Sequence, residues 1–135
     1  MLRRAWNSLA LVPVASGGTT FELGKALSEL GAVFGGRPVR LLSGVDLTLD
    51  SLAQFIDTMV RLAKKGGGGT SNDDQRVVVV LNSVVNDPLG VAVALAADAV
   101  LLVVELGKSD IESARRTIDL IGSERFIGSV TIRRP

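Results

Sequence analysis

The chain has no cysteine, no histidine and no tyrosine. Without cysteine, disulfide staples and thiolate nucleophiles are excluded. Without histidine, the commonest general base and the commonest metal ligand are missing. Aromatic residues are scarce, four Phe and one Trp, so stacking platforms for nucleobases are few. The 15 basic and 14 acidic residues leave a net charge of +1, and no nucleic-acid partner is expected from so small an excess. Long hydrophobic runs are missing as well. The longest, VAVALAADAVLLVVEL, is interrupted by Asp98 and Glu105 and falls short of the ~18 apolar residues that a membrane-spanning helix requires. The opening MLRRAWNSLALVPVAS has the arginines and apolar run of a signal peptide, but Asn7, Ser8 and Pro13 break the run, so secretion is not expected.

What is present is a high apolar content, 47% of 135 residues with a mean hydropathy of +0.38. Strands buried on both faces account for such a composition in one domain. The chain alternates strand-like and helix-like segments. SLALVPV (8–14) reads as a strand and TTFELGKALSELGAVF (19–34) as a helix, with Phe21, Leu23, Leu27, Leu30 and Val33 at helical spacing. RPVRLLS (37–43) is a second strand, and residues 48–65 form a second amphipathic helix. KKGGGGTSNDDQ (64–75) cannot bury apolar surface and reads as a flexible loop. RVVVVLNS (76–83) and AVLLVVEL (99–106) lack polar alternation and belong at the centre of a sheet. Between them DPLGVAVALAA (87–97) is a short helix with Pro88 in its first turn. SDIESARRTIDLIG (109–122) is a helix closed by Gly122, and FIGSVTI (126–132) a last strand. Thr19 with Glu22, and Ser109 with Glu112, have the spacing of capping boxes. The expected fold is α/β: one domain over 1–135, a three-layer, doubly wound, mostly parallel five-stranded sheet with helices on both faces.

In such a sheet ligands collect at the carboxyl ends of the strands. The turn ASGGTT (15–20) after the first strand lies there. Gly17, Gly18, Thr19 and Thr20 could present amides to an anion at a helix N-terminus, where the dipole favours negative charge. The plainer reading is a tight strand-to-helix turn capped by Thr19. A phosphate-binding P-loop reads G-x-x-x-x-G-K-[ST]. Here five residues separate Gly18 from Gly24, Lys25 is followed by Ala26, and Lys25 falls inside the expected helix.

As a whole the chain resembles the P-loop ATPases of the ParA/MinD superfamily, and within it the bacterial tyrosine autokinases of capsule and exopolysaccharide synthesis. The second half carries the resemblance: RVVVVLNSVVNDPLG, then ADAVLLVV (97–104) followed by GKS, then FIGSVTI. LVPVASGG and VRLLSGVDL (39–47) match more loosely. The resemblance implies a P-loop NTPase-like fold, and also which parts are altered. The loop lysine is missing from Gly17–Thr20. The first aspartate after the second strand falls on Ser43 or Gly44, with only Asp46 kept. The magnesium-holding aspartate after the third strand falls on Asn82, and the Pro-Pro that follows it on Val84-Val85. An amide cannot supply the charge a divalent cation needs. The chain is shorter than the kinases between 48 and 75, and has no tyrosine to phosphorylate.

These departures imply a catalytically inactive, kinase-like adaptor with no catalytic residues and no metal site. No cofactor is expected, and residual ATP or ADP binding at Gly17, Gly18, Thr19 and Thr20 would be weak. The partner implied is the cytosolic part of a membrane polysaccharide co-polymerase-like protein, the chain-length regulator, and the location cytoplasmic or peripheral at the inner membrane. A homo-oligomer stays open, although Arg3 and Arg4 lack the Glu-x-x-Arg-x-x-Arg spacing that relatives use for rings. The alternative is a nucleotide-binding switch that does not hydrolyse. A receiver or flavodoxin-like domain fits less well: the acidic pair of a receiver is replaced by Ala15-Ser16-Gly17, and aromatics for a flavin are too few.

Other features have plainer readings. Arg115, Arg116, Arg133 and Arg134 form either a basic patch or solvated faces. Asp50 reads as first-turn helix charge and Asp73-Asp74 as loop solubility, rather than a metal site with Asp46. Trp6 reads as an anchor on the sheet, and an exposed Trp there would mark a partner surface.

Overall fold

The computed structural model of the chain describes residues 7–14, 39–45, 47–64, 76–105 and 111–132. Five strands, β1 (Ser8–Pro13), β2 (Val39–Gly44), β3 (Arg76–Leu81), β4 (Ala99–Glu105) and β5 (Phe126–Ile132), form one sheet in the order β2-β3-β1-β4-β5. All four pairings are parallel. Three helices are described, α1 (Leu49–Lys64), α2 (Leu89–Ala96) and α3 (Ile111–Ile121), with a 3₁₀ turn at Ser123–Arg125.

The strands without polar alternation take the inner places, as their composition requires. β3 and β1 are buried almost throughout, as is β4. Alternate residues feed two apolar clusters. Ala10, Val12, Val77, Val79, Leu81 and Val100 meet Met59 and Ala63 of α1, Val93 and Ala94 of α2, and Ile121 of α3. Leu9, Leu11, Val78, Val80, Leu101 and Val103 form the second cluster on the opposite face. All three described helices therefore lie on the first face. The helix expected over 19–34 lies outside the described residues, as do the loop at 65–75, Trp6, Arg133, Arg134, Asp46, Asp73, Asp74 and both expected capping boxes, since Thr19, Glu22 and Ser109 are not described.

Several boundaries differ from the sequence expectation for local reasons. β3 stops at Leu81, two residues early, because the amides of Asn86 and Asp87 turn back to donate to the Ser83 carbonyl at 3.1 and 2.8 Å. Pro88 stands just ahead of α2 with φ −64°, already helical. Gly122 does end α3: its φ of +109° suits only glycine, and its amide donates to the Ile118 carbonyl at 2.7 Å. α1 carries a cap with no acidic residue. The Ser51 amide donates to Thr48 Oγ1 at 3.2 Å while the Thr48 amide donates to Ser51 Oγ at 3.1 Å.

Strand order separates two architectures. Receiver and flavodoxin-like sheets run 2-1-3-4-5, whereas here β3 lies between β2 and β1. That topology excludes both. No described helix is long and apolar enough to cross a membrane.

Candidate functional site

The order β2-β3-β1-β4-β5 sets the carboxyl ends of β1 and β3 side by side. Register fixes the junction: Leu11 pairs with Val80, so Pro13 and Val14 end level with Asn82 and Ser83. Val14 is tied on its other side as well, its amide donating to the Val103 carbonyl at 3.0 Å. The turn that follows β1, with Gly17, Gly18, Thr19 and Thr20, lies outside the described residues, so the expected anion cradle is not described. The floor on which it would stand is.

Asn82, the residue on which the resemblance sets a magnesium-holding aspartate, leaves β3 half-buried. Its Nδ2 donates to the Val45 carbonyl beyond β2 at 2.8 Å, and a longer bond reaches Asp87 Oδ2 at 3.4 Å. One amide thus links the ends of β2 and β3 to the start of α2. Both bonds use the donor side of the amide, which an aspartate lacks. Ser83, 1% exposed, donates its hydroxyl to the Val14 carbonyl at 3.3 Å, linking β3 to β1. That hydroxyl is committed and buried, so it is no nucleophile.

The second position on which the resemblance sets an aspartate is crowded by apolar side chains. A Cβ placed on Gly44 would lie 2.8 Å from Leu81 Cδ2, with the Phe55 ring 3.5 Å away. Apolar side chains fill the space into which a carboxylate there would have to project. Ser43, the other residue that could align with it, is exposed on the edge strand. Val84, standing where the resemblance has the first proline, is fully buried and packs against Gly90, where an added Cβ would come within 3.2 Å of Val84 Cγ1. Asp50 is where the sequence places it, in the first turn of α1 and exposed. Arg115 and Arg116 are exposed on α3.

Two carboxylates at this end of the sheet escape a reading based on motifs. Asp87 is half-buried beside Asn82. Its signal was the Asp-Pro pair opening α2, which reads equally well as an ordinary helix start. Glu105 is 8% exposed at the last position of β4, two residues beyond the register partner of Pro13. A charge ending an otherwise apolar central strand was its signal, since buried glutamates are rare. Among the described residues no cluster of three or more Asp or Glu could hold a metal ion. The arrangement can accept and donate hydrogen bonds and hold three strand ends together. Among the described residues no lysine is placed there, and the carboxylates present are Asp87 and Glu105. No protein-family model matches the chain, and no curated protein matches it.

Proposed function

We propose that this chain is a non-catalytic relative of the P-loop ATPases, an adaptor that works by holding a partner and not by turning over nucleotide. The observation that carries this reading is the bond from Asn82 to the Val45 carbonyl. A residue at the magnesium-binding position that is occupied in joining two strands serves the fold. Gly44, where an added Cβ would press on the Leu81 side chain beside Phe55, supports the reading from a second and independent position. Phosphoryl transfer depends on positioned charge, metal and lysine together. Replacing both carboxylates by groups built into the packing removes that charge without loosening the sheet.

The partner is proposed from the resemblance in the second half of the chain: the cytosolic part of a membrane chain-length regulator in bacterial capsule or exopolysaccharide synthesis or export. In that reading the chain occupies the place of an active tyrosine autokinase, in the cytoplasm at the inner membrane. A nucleotide-binding switch is the second reading. It is favoured by the strand order, since neighbouring β1 and β3 ends are the arrangement in which a phosphate loop and a metal carboxylate converge.

Thermal melting with and without Mg-ATP, ADP and GTP, paired with a hydrolysis assay, separates the readings. The adaptor predicts no turnover and no shift at millimolar nucleotide. A ligand at ~100 times its Kd would stabilise the native state by about 2.7 kcal/mol, so a clear shift without turnover supports the switch. Turnover overturns both. Co-purification from the native host with a polysaccharide-export component tests the partner, and its absence removes that assignment.

A further inference from the structure

The two edges of the sheet are unlike. β5 is joined to β4 with a register shift between Val100 and Leu101, and such irregularity twists an edge away from further pairing. β2 is joined to β3 in unbroken register from Val39 to Gly44. Among the described residues nothing pairs with its outer side. A regular edge strand is a template for another chain.

Beside that edge lies an apolar groove of about 270 Å³ lined by Leu42 of β2 and by Ser51, Gln54, Phe55 and Thr58 of α1. Leu42 and Phe55 are only half-buried, although both pack on the first core cluster. The outward stripe of α1 has opposite charges at its two ends, Asp50 in the first turn and Arg61 in the fourth, and both are exposed. Arg61 also holds Asp57 at 2.7 Å, with its side chain still 74% exposed. A guanidinium has five donors, so this bond leaves others available.

We propose that the β2 edge with the α1 groove is the self-association surface of this chain, its occupant a second copy related by a two-fold axis. Opposite residues in an antiparallel pair face the same side of the sheet. Helices of both copies on one side therefore require residues of equal parity to pair. Placing the axis at Leu42 sets Leu42 against its counterpart and Arg40 against Gly44, which avoids opposing like charges. The two grooves then meet as one apolar strip with Phe55 from each copy. The two α1 helices run antiparallel, so Asp50 of each lies toward Arg61 of the other. This charge complementarity selects a second copy as the occupant, and an isologous contact of this kind closes at two.

Sedimentation equilibrium of the full chain over a wide concentration range tests it, with circular dichroism confirming that each variant folds. A monomer–dimer equilibrium is expected. Gln54→Asp places like charges close to the axis, facing Asp57 of the other copy, and raises the dimer Kd by about tenfold or more. Asp50→Arg and Arg61→Asp each weaken the dimer, and the double variant restores it. All three positions are exposed, so folding is not at risk. A chain that stays monomeric throughout overturns the proposal and leaves the groove to another protein. A dimer indifferent to Gln54→Asp, or a double variant weaker than either single, also overturns it.

Discussion

The two ends of this sheet are closed by the same kind of device with opposite consequences. At the amino end the Asp98 carboxylate, in the turn before β4, accepts the amides of Asn7 at 2.8 Å and Ser8 at 3.2 Å. The Ser8 hydroxyl returns the bond, accepting the Asp98 amide at 2.8 Å. Acid and donors are matched, and the corner is complete. At the carboxyl end an amide replaces the acid. Asn82 gives its hydrogens to a carbonyl and to Asp87. The same demand, satisfying backbone groups where strands end, is met by a carboxylate where the free groups are amides and by an amide where one is a carbonyl. In the reading proposed above, the device at the carboxyl end stands where a nucleotide-hydrolysing P-loop protein would keep its charge free.

Placing acids at Gly44 and Asn82 is the sharpest way to break that comparison. Gly44→Asp forces a carboxylate among Leu81 and Phe55, and an uncompensated buried charge costs about 3–5 kcal/mol. Urea or thermal unfolding reads the loss, and a variant as stable as the parent would show that this corner is open. Asp98→Ala comes next. It strands two amides that now share one charged acceptor, at about 2–3 kcal/mol because the site is partly exposed. Unfolding should show that loss with no change in nucleotide response.

Asn82→Asp is smaller and depends on pH. It loses the donor to Val45 and sets a carboxylate beside the carboxylate of Asp87, at about 1–3 kcal/mol at neutral pH. The like charge raises the carboxyl pKa of the variant in the folded state. The deficit is therefore charge-based above the folded value and shrinks as pH falls toward the unfolded value of about 4. Measuring the stability difference from the parent at pH 7 and pH 4 checks the sign. A deficit unchanged by pH would mean that the amide bond alone matters. A stabilisation by magnesium would mean that this end can still hold a cation.

Much of the fold was legible in the sequence. Val77 to Val80 and Ala99 to Val103 have no polar alternation, which places β3 and β4 inside a parallel sheet. Gly122 stopped α3, and FIGSVTI is β5 to the residue. The site was less legible, for two physical reasons. Asn82 and Gly44 could be seen as departures from a pattern, but not as parts of the packing, because their partners lie far along the chain. The Thr48–Ser51 cap was missed because serine in place of the usual acidic residue gives no motif to recognise, although its hydroxyl accepts the same bond.

Local chemistry determined the element types, their order and the parallel character of the sheet, since apolar periodicity, capping and glycine act over a few residues. The tertiary structure alone decided that β3 lies between β2 and β1, and hence what the polar residues at its ends do. Asn82 meets Val45 across 37 positions and Asp98 meets Asn7 across 91. A side chain's partner at such separations exists only once the strands are neighbours, and no periodicity in the chain encodes it.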